Sequence, residues 1–390
     1  MINWFLLVKL EETLSNILVV SKVRNKILGF QFEENKLSRI YNLENKSLVG
    51  NIYVGYVKDI VKNLNAAFVE IDGESKGFLS LKNFPYKIKQ GDKILVQVAG
   101  DKVKTKDYLL TWKLNISVGS VILTVGNNNF SISKKIDDSL LREQYKNSFS
   151  HFCTDEYGFI LRTNAQSKDL KNLENNINEA IEIYNQTVNK FNFLKAKTLV
   201  YKKDKQLEVL EDFVLKKDGM VITDVEQIYE SLKAADICAS FNDEKKINLI
   251  NKYSLEKHLQ NSLNRHVWLK SGGYLIIEHT EAMTVIDVNT GKADFKSNRD
   301  KTIQKINEEA AKEIARQLQI RNISGTIIVD FIGSDELKNG NLIAVMRQEV
   351  KKDYVSCSVV DITKLGLMEL TRKKKEKSLE EIVNEKKDDN

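Results

Sequence analysis

Residues 272–291 read GGYLIIEHTEAMTVIDVNTG, and residues 325–331 read GTIIVDF. The first stretch predicts a strand over Tyr274–Glu278, a polar turn at His279–Glu281 and a second strand over Met283–Val288. The second predicts a further strand, reached through a helix over Thr302–Ile320 that carries Ile303, Ile306, Ala310, Ile314 and Leu318 on one stripe. Isoleucine and valine runs of this kind suit strands covered on both faces. Each run ends in an aspartate, Asp287 and Asp330, which is costly to bury without a cation or a set of donors. A strand–helix–strand crossover brings the two strand ends to the same edge of a sheet. Two carboxylates there, with Asn289 beside the first, predict a site for a hard cation such as Mg2+, with Mn2+ as a substitute.

The composition bounds the rest. With 390 residues and 42% hydrophobic content, the chain can bury a large core and divide into two to four subdomains. No apolar run approaches the length of a membrane span, and the opening Trp4–Val8 cluster is too short for a signal peptide, so a soluble protein is expected. Cys153, Cys238 and Cys357 are widely spread and form neither a disulfide framework nor a CxxC metal pair. A net charge of +6 gives only a weak preference for polyanions. Fifty lysines against ten arginines, with 36 asparagines and one proline, follow A/T-rich coding, as in a plastid or a reduced bacterium.

Residues 1–46 hold short apolar runs (Ile17–Val20, Ile27–Phe32) that suit strands of a larger sheet. Between Gly50 and Thr111, strands over Asn51–Tyr56, Ala67–Ile71, Gly77–Leu81 and Lys93–Val98 alternate with glycine- and asparagine-bearing turns, predicting a small OB-type barrel. Strands are expected at Val121–Val125 and Phe159–Arg162. An amphipathic helix follows, with Leu170, Leu173, Ile177, Ala180, Tyr184, Val188 and Phe191 on its packed face. Arg162-Thr163 combines a guanidinium fork with a hydroxyl and could grip a terminal phosphate, although such a dipeptide at a strand end is more often without a role. Residues 224–239 and 242–263 read as helices. His258, His266 and His279 lack any repeated metal-ligand spacing and take structural or surface roles by default. Lys373 to Asn390 is charge-rich and reads as a frayed helix or disordered tail.

Three ordered stretches, Thr280–Gly291 (TEAMTVIDVNTG), Asn307–Gln317 (NEEAAKEIARQ) and Ile327–Ile332 (IIVDFI), resemble the catalytic core of the ribonuclease E/G family of endoribonucleases. The resemblance implies an α/β protein of several subdomains. These are a ribonuclease-H-like part in two segments (1–46 and 208–263), an inserted OB-type RNA-binding barrel (47–112), a 5′-sensor region (113–207), a DNase-I-like catalytic subdomain (264–372) and a charged tail (373–390). It further implies that Asp287 and Asp330 hold a catalytic Mg2+, with Asn289 orienting them. Glu309, in an early helical turn where glutamates ordinarily complement the dipole, matches a family acid near the metal. The barrel pattern GNIYVGYV…NAAFVEI…GFLSL resembles a ribosomal-protein RNA-binding module, which puts Phe68 and Phe78 at its base-stacking positions and Lys106 at its basic one. Phenylalanines in strands are otherwise usually core.

By the same resemblance Arg162 and Thr163 sense a 5′-monophosphate, Lys134 and Lys135 add basic contacts, and Arg372, in GLMELTRK, touches RNA. The implied activity is Mg2+-dependent cleavage of single-stranded A/U-rich RNA, leaving a 3′-hydroxyl and a 5′-phosphate. It would serve mRNA decay and the processing of intercistronic mRNA and rRNA, with degradosome-like partners (a helicase, an exoribonuclease). A plastid stroma is the expected compartment, with a bacterial cytoplasm as the alternative. Two departures stand out. Gly333 and Ser334 precede Asp335 where the family often has an earlier acid, and no CPxC motif is present, so no zinc link is expected and the oligomeric state stays open. The competing readings are a non-catalytic single-stranded-RNA-binding protein that uses the barrel, and a metal phosphoesterase acting on nucleotides.

Overall fold

The computed structural model describes residues 16–44, 47–102, 107–217, 219–235, 237–243, 248–292, 299–333 and 341–385. Contacts divide the chain into two units, one built from residues 1–44 and 217–390 and the other from residues 45–216.

Alternating apolar residues start the described chain as a meander of β1 (Asn16–Val23), β2 (Lys26–Glu33) and β3 (Lys36–Asn42). Its two tight turns, Arg24-Asn25 and Glu34-Asn35, have φ of 49° and 62° and of 48° and 61°, the left-handed pair that hairpins with two-residue loops require. The chain then builds the second unit. β4 (Ile52–Val61), β5 (Ala66–Glu70), β6 (Lys76–Ser80), β7 (Lys93–Gly100) and β8 (Tyr108–Thr111) pair in the order β4-β5-β6-β8-β7 and back to β4, closing a five-stranded barrel. The β6–β8 pair is parallel, and Val57, Val69, Ile71, Leu79, Val96 and Val98 fill the interior. The expected OB-type barrel is therefore present. Next come β9 (Asn115–Val118), β10 (Val121–Val125), β11 (Phe130–Ile132) and β12 (Tyr157–Leu161), in the order β11-β12-β10-β9. The helix Leu170–Phe193 packs Leu173, Ile177, Ala180 and Tyr184 on this sheet. β13 (Thr198–Tyr201) joins β4, and the helix Lys205–Lys217 follows.

On return to the first unit, β14 (Met220–Thr223) lies parallel to β1, with Ile17 opposite Met220, and β15 (Ala239–Phe241) extends the sheet beyond it. The helices expected over 224–239 and 242–263 are shorter than their sequence pattern suggests. The first ends at Ala234, because residues 239–241 pair with β14 instead, and the second region forms Leu249–Lys252 and Leu255–Leu263, separated at Ser254 with φ of 50°. Tertiary strand pairing outweighs local helix preference there.

The six-stranded sheet that carries the two aspartates comprises β16 (His266–Trp268), β17 (Tyr274–His279), β18 (Met283–Asn289), β19 (Gly325–Asp330), β20 (Cys357–Ile362) and β21 (Met368–Arg372), in the order β16-β17-β18-β19-β21-β20. β18 and β19 are parallel and joined through the helix Arg299–Ile320; the other pairs are antiparallel. That helix and Asn341–Val350 pack one face, where Leu275, Ile286, Val288, Ile327 and Val329 meet Ile306, Ile314 and Met346. The opposite face is only half-buried at Ile276, Val285 and Ile328. The apolar runs thus belong to strands with one covered face, not two, and the carboxylates stand on the open one. The tail expectation also changes. Leu379–Asn384 is a helix with a Ser378/Glu381 capping box, and Leu379 and Ile382 are buried in the core of the β1–β3 sheet. Among the described residues no helix is long and apolar enough to cross a membrane.

Candidate active site

Asp287 and Asp330 are direct neighbours in the parallel β18–β19 register, each at the C-terminal end of its strand. Residues opposite one another across a strand pair project to the same face, so both carboxylates stand on the open face of the sheet. Asn289, two residues on and therefore on the same face, donates its carboxamide N–H to Asp287 Oδ2 at 2.7 Å. That bond fixes one carboxylate oxygen of Asp287. Burial, and then the neighbouring Asp287 charge, push the Asp330 carboxyl above the ordinary range. A carboxyl raised in this way costs stability once ionised; the cost is lost as pH falls through the raised value, or is offset by a cation at neutral pH. Among the described residues no group of three or more His, Cys, Asp and Glu side chains forms a metal cage. Two carboxylates and a carboxamide are a donor set that fits Mg2+, which keeps several waters and takes substrate phosphate oxygens as further ligands.

Two side chains of the helix Arg299–Ile320 hold this edge. Asn307, fully buried, donates to Ile332 O at 2.8 Å and accepts from Ile332 N at 3.2 Å, tying down the chain as it leaves Asp330. Its carboxamide was legible only as a polar interruption in an apolar helix face. Glu309 accepts from the amides of Lys270 (2.6 Å) and Ser271 (3.0 Å) with its two oxygens, anchoring the β16–β17 turn. Burial acts to raise its pKa, but the donors of Ser271 and Lys270 outweigh it and hold the carboxyl below the usual range. Both oxygens therefore serve the turn, and the structure gives Glu309 a positioning task. His279 lies beyond Thr284, with Nδ1 and Thr284 Oγ1 2.9 Å apart, at the opposite end of the strands from the aspartates. Burial, then the Arg321 charge, lower its pKa against the opposing charge of Glu380.

On the barrel, Phe68 and Phe78 face each other across β5 and β6 with ring centroids 6.0 Å apart at 74°. Both are half-exposed and stand outside the barrel core, which answers the ordinary expectation that strand phenylalanines are core. Leu109, 49% exposed, continues the row on β8, and Lys76 Nζ lies 5.9 Å from the Phe68 centroid. Lys106 falls outside the described residues.

At the end of β12, Arg162 pairs with Asp212 of the helix Lys205–Lys217 at 2.7 Å. Thr163 shares a 2.9 Å hydrogen bond with Ser133, whose turn exposes Lys134 and Lys135 and is gripped by Arg142 through the carbonyls of Ser133 and Ile136. Arg162, Thr163, Lys134 and Lys135 thus gather at one corner. The Asp212 partner was not legible in the sequence, lying fifty positions away. Burial raises the adjacent Glu211 carboxyl, with Arg162 opposing and Asp212 adding to the shift.

Arg372 requires a correction. Its side chain is buried, pairs with a buried Asp353 at 2.7 Å, and donates to Asn322 Oδ1 and Ile323 O at 2.8 and 2.9 Å. A guanidinium satisfied in the core offers nothing to RNA; it ties β21 to the loops beneath it.

The Ribonuclease E/G family model matches residues 117–375. The chain is 30% identical over 369 residues to Ribonuclease G of Salmonella typhimurium, covering 87% of this chain and 75% of that protein. It is 29% identical over 396 residues to the Putative ribonuclease E of Buchnera aphidicola subsp. Baizongia pistaciae, covering 93% and 95%. With Ribonuclease E of a Nostoc species it shares 26% identity over 91% of this chain and 55% of the relative. A family model that spans most of the chain, and relatives at about 30% identity over most of it, make the conclusion direct: the chain belongs to the ribonuclease E/G family.

Proposed function

We propose that the chain cleaves single-stranded, A/U-rich RNA at the Asp287–Asp330 edge, with Mg2+ as cofactor and with preference for a 5′-monophosphate. Membership of the family makes it an endoribonuclease of RNA processing and decay. The observation that carries the finer reading is the pairing of Asp287 with Asp330 in register on an open sheet face, with Asn289 bonded to the first.

In this reading Asp287 and Asp330 hold the ion, and the Asn289 carboxamide keeps one Asp287 oxygen turned away from it. A divalent ion bound there supplies Lewis acidity and charge neutralisation at the scissile phosphate. Asn307 and Glu309 keep the loops at this edge from shifting. The open face admits a strand whose backbone is free; a paired duplex would have to be opened first, and A/U-rich stretches pair least stably. Phe68 and Phe78 stack bases, with Lys106 and Lys76 near phosphates. Arg162, Thr163, Lys134 and Lys135 bind the 5′-terminal phosphate, releasing Arg162 from Asp212. The products carry a 3′-hydroxyl and a 5′-phosphate.

The ribonuclease-H-like and DNase-I-like assignments and the boundaries given above are part of the same proposal, as are degradosome-like partners. The plastid stroma remains the proposed compartment, with the bacterial cytoplasm as the alternative that the bacterial relatives favour. The test is incubation of a 5′-monophosphorylated A/U-rich single strand with Mg2+, comparing wild type with Asp287→Asn. Internal cuts by wild type alone are expected; equal cutting by both proteins overturns the assignment.

A further inference from the structure

The open face of the aspartate-bearing sheet carries more than the carboxylates. Cross-strand register defines two adjacent rows on it. One runs His266–Ile276–Asp287–Asp330, and the next runs Trp268–Tyr274–Asn289. Strands lie about 4.8 Å apart, so Tyr274 is one strand from Asn289 and Trp268 about 10 Å from it. Trp268 is 63% exposed although it is large and apolar. Its ring centroid is 5.2 Å from that of Tyr274, and the His266 ring, on the same strand as Trp268, is 5.6 Å from Tyr274. An exposed aromatic cluster next to a functional edge is a surface waiting for a flat partner.

The cluster is held in place. Gly291, at φ of +54°, lies against the Tyr274 ring: a Cβ there would come within 3.0 Å of Tyr274 Cδ1 and would strike Gly272 O. The Lys292 amide donates to Gly272 O, and the Gly272 amide donates to Leu269 O. Glu309 fixes the same turn through the Lys270 and Ser271 amides, while Lys270 itself is exposed. The sequence around Asn289 thus clamps a ring that neither the carboxylates nor the barrel requires.

We propose that Trp268 and Tyr274, flanked by His266, form a base-stacking subsite for a nucleobase within two nucleotides of the scissile phosphodiester, with Lys270 facing the backbone. This rests on reading Asp287 and Asp330 as the cleavage edge. Aromatic faces accept any base and need no base-edge code. The occupant is RNA because the rings continue, row for row, into the residues that flank the reacting phosphate, and because Lys270 complements a polyanion.

The test uses a single-stranded RNA with one cut site and an abasic sugar placed in turn at each position flanking it. Wild type, Trp268→Ala and Trp268→Phe are compared by kcat/KM with Mg2+, and by anisotropy-measured affinity for the same RNAs in an Asp330→Asn background. One position is expected where base removal lowers wild-type kcat/KM and affinity by about 5- to 150-fold, the span of stacking one base. Trp268→Ala should show that loss with intact RNA and no further loss with the abasic strand, and Trp268→Phe should regain most of it. Superimposable penalty profiles for wild type and Trp268→Ala in both readouts overturn the subsite and point to a protein partner for these rings. If Asp287→Asn still cuts, the cleavage edge is wrong, while the affinity comparison still judges the platform.

Discussion

The edge at Asp287 and the corner at Arg162 treat charge in opposite ways. At the first, the fold sets two carboxylates side by side; burial, and then the Asp287 charge, raise the Asp330 pKa, and the Asn289 carboxamide donates to Asp287. At the second, a guanidinium is already matched by Asp212. An unbalanced pair is ready for a cation that arrives from solvent. A balanced pair must be opened before an anion can enter, so whatever binds Arg162 competes with a tethered carboxylate. On the proposed reading, the first pair takes up a cation, and the second admits a terminal phosphate only by giving up its ion pair, the Arg162-Thr163 donors suiting a small dianion.

Substitutions can break or sharpen this contrast. Asp330→Asn removes half of the unbalanced pair and should lower the cleavage rate by about a thousand-fold or more, a loss of several kcal/mol of charge stabilisation. RNA affinity should stay within a few-fold in a filter-binding assay; retained cleavage would remove the metal reading. Arg162→Ala should erase a preference for 5′-monophosphate over 5′-triphosphate RNA that amounts to roughly ten-fold, the worth of one or two charge-assisted hydrogen bonds. An unchanged ratio of cleavage rates ends the sensor reading. The smallest effect is expected from Asp212→Asn. Because the pair is partly exposed, freeing Arg162 should tighten 5′-monophosphate binding by no more than about five-fold. Weaker binding would mean that Asp212 positions the fork instead of competing for it.

Much of this was legible in the sequence because it is local. The runs ending at Asp287 and Asp330 carry their own strand signal, and the crossover rule alone brings their ends together. The barrel is legible for the same reason, each strand being short and separated by turn residues. What sequence could not supply is pairing at a distance. Nothing in Ile17–Val20 says that its neighbour is Met220, and nothing in Arg162 points to Asp212. Arg372 misled because a motif fixes residue type and not burial: the arginine beside an expected RNA surface is spent on Asp353. Trp268 and Tyr274 were passed over because six positions separate them in the chain, whereas register makes them neighbours on the carboxylate face.

The short helix Leu379–Asn384 has a consequence for how the chain is made. Leu379 and Ile382 share a core with Ile17, Phe30 and Met220, and the Leu379 amide donates to Arg321 O. The strands β1–β3 therefore lack part of their hydrophobic cover until the segment carrying Leu379 and Ile382 has been synthesised. The described strands of the unit spanning 45–216 pair only with one another, and it can complete its barrel while synthesis continues. Domains that fold as units during synthesis do so in the order in which their parts emerge, so the inserted unit should mature first. The exposed β1–β3 meander is the segment that a nascent-chain chaperone would have to shield.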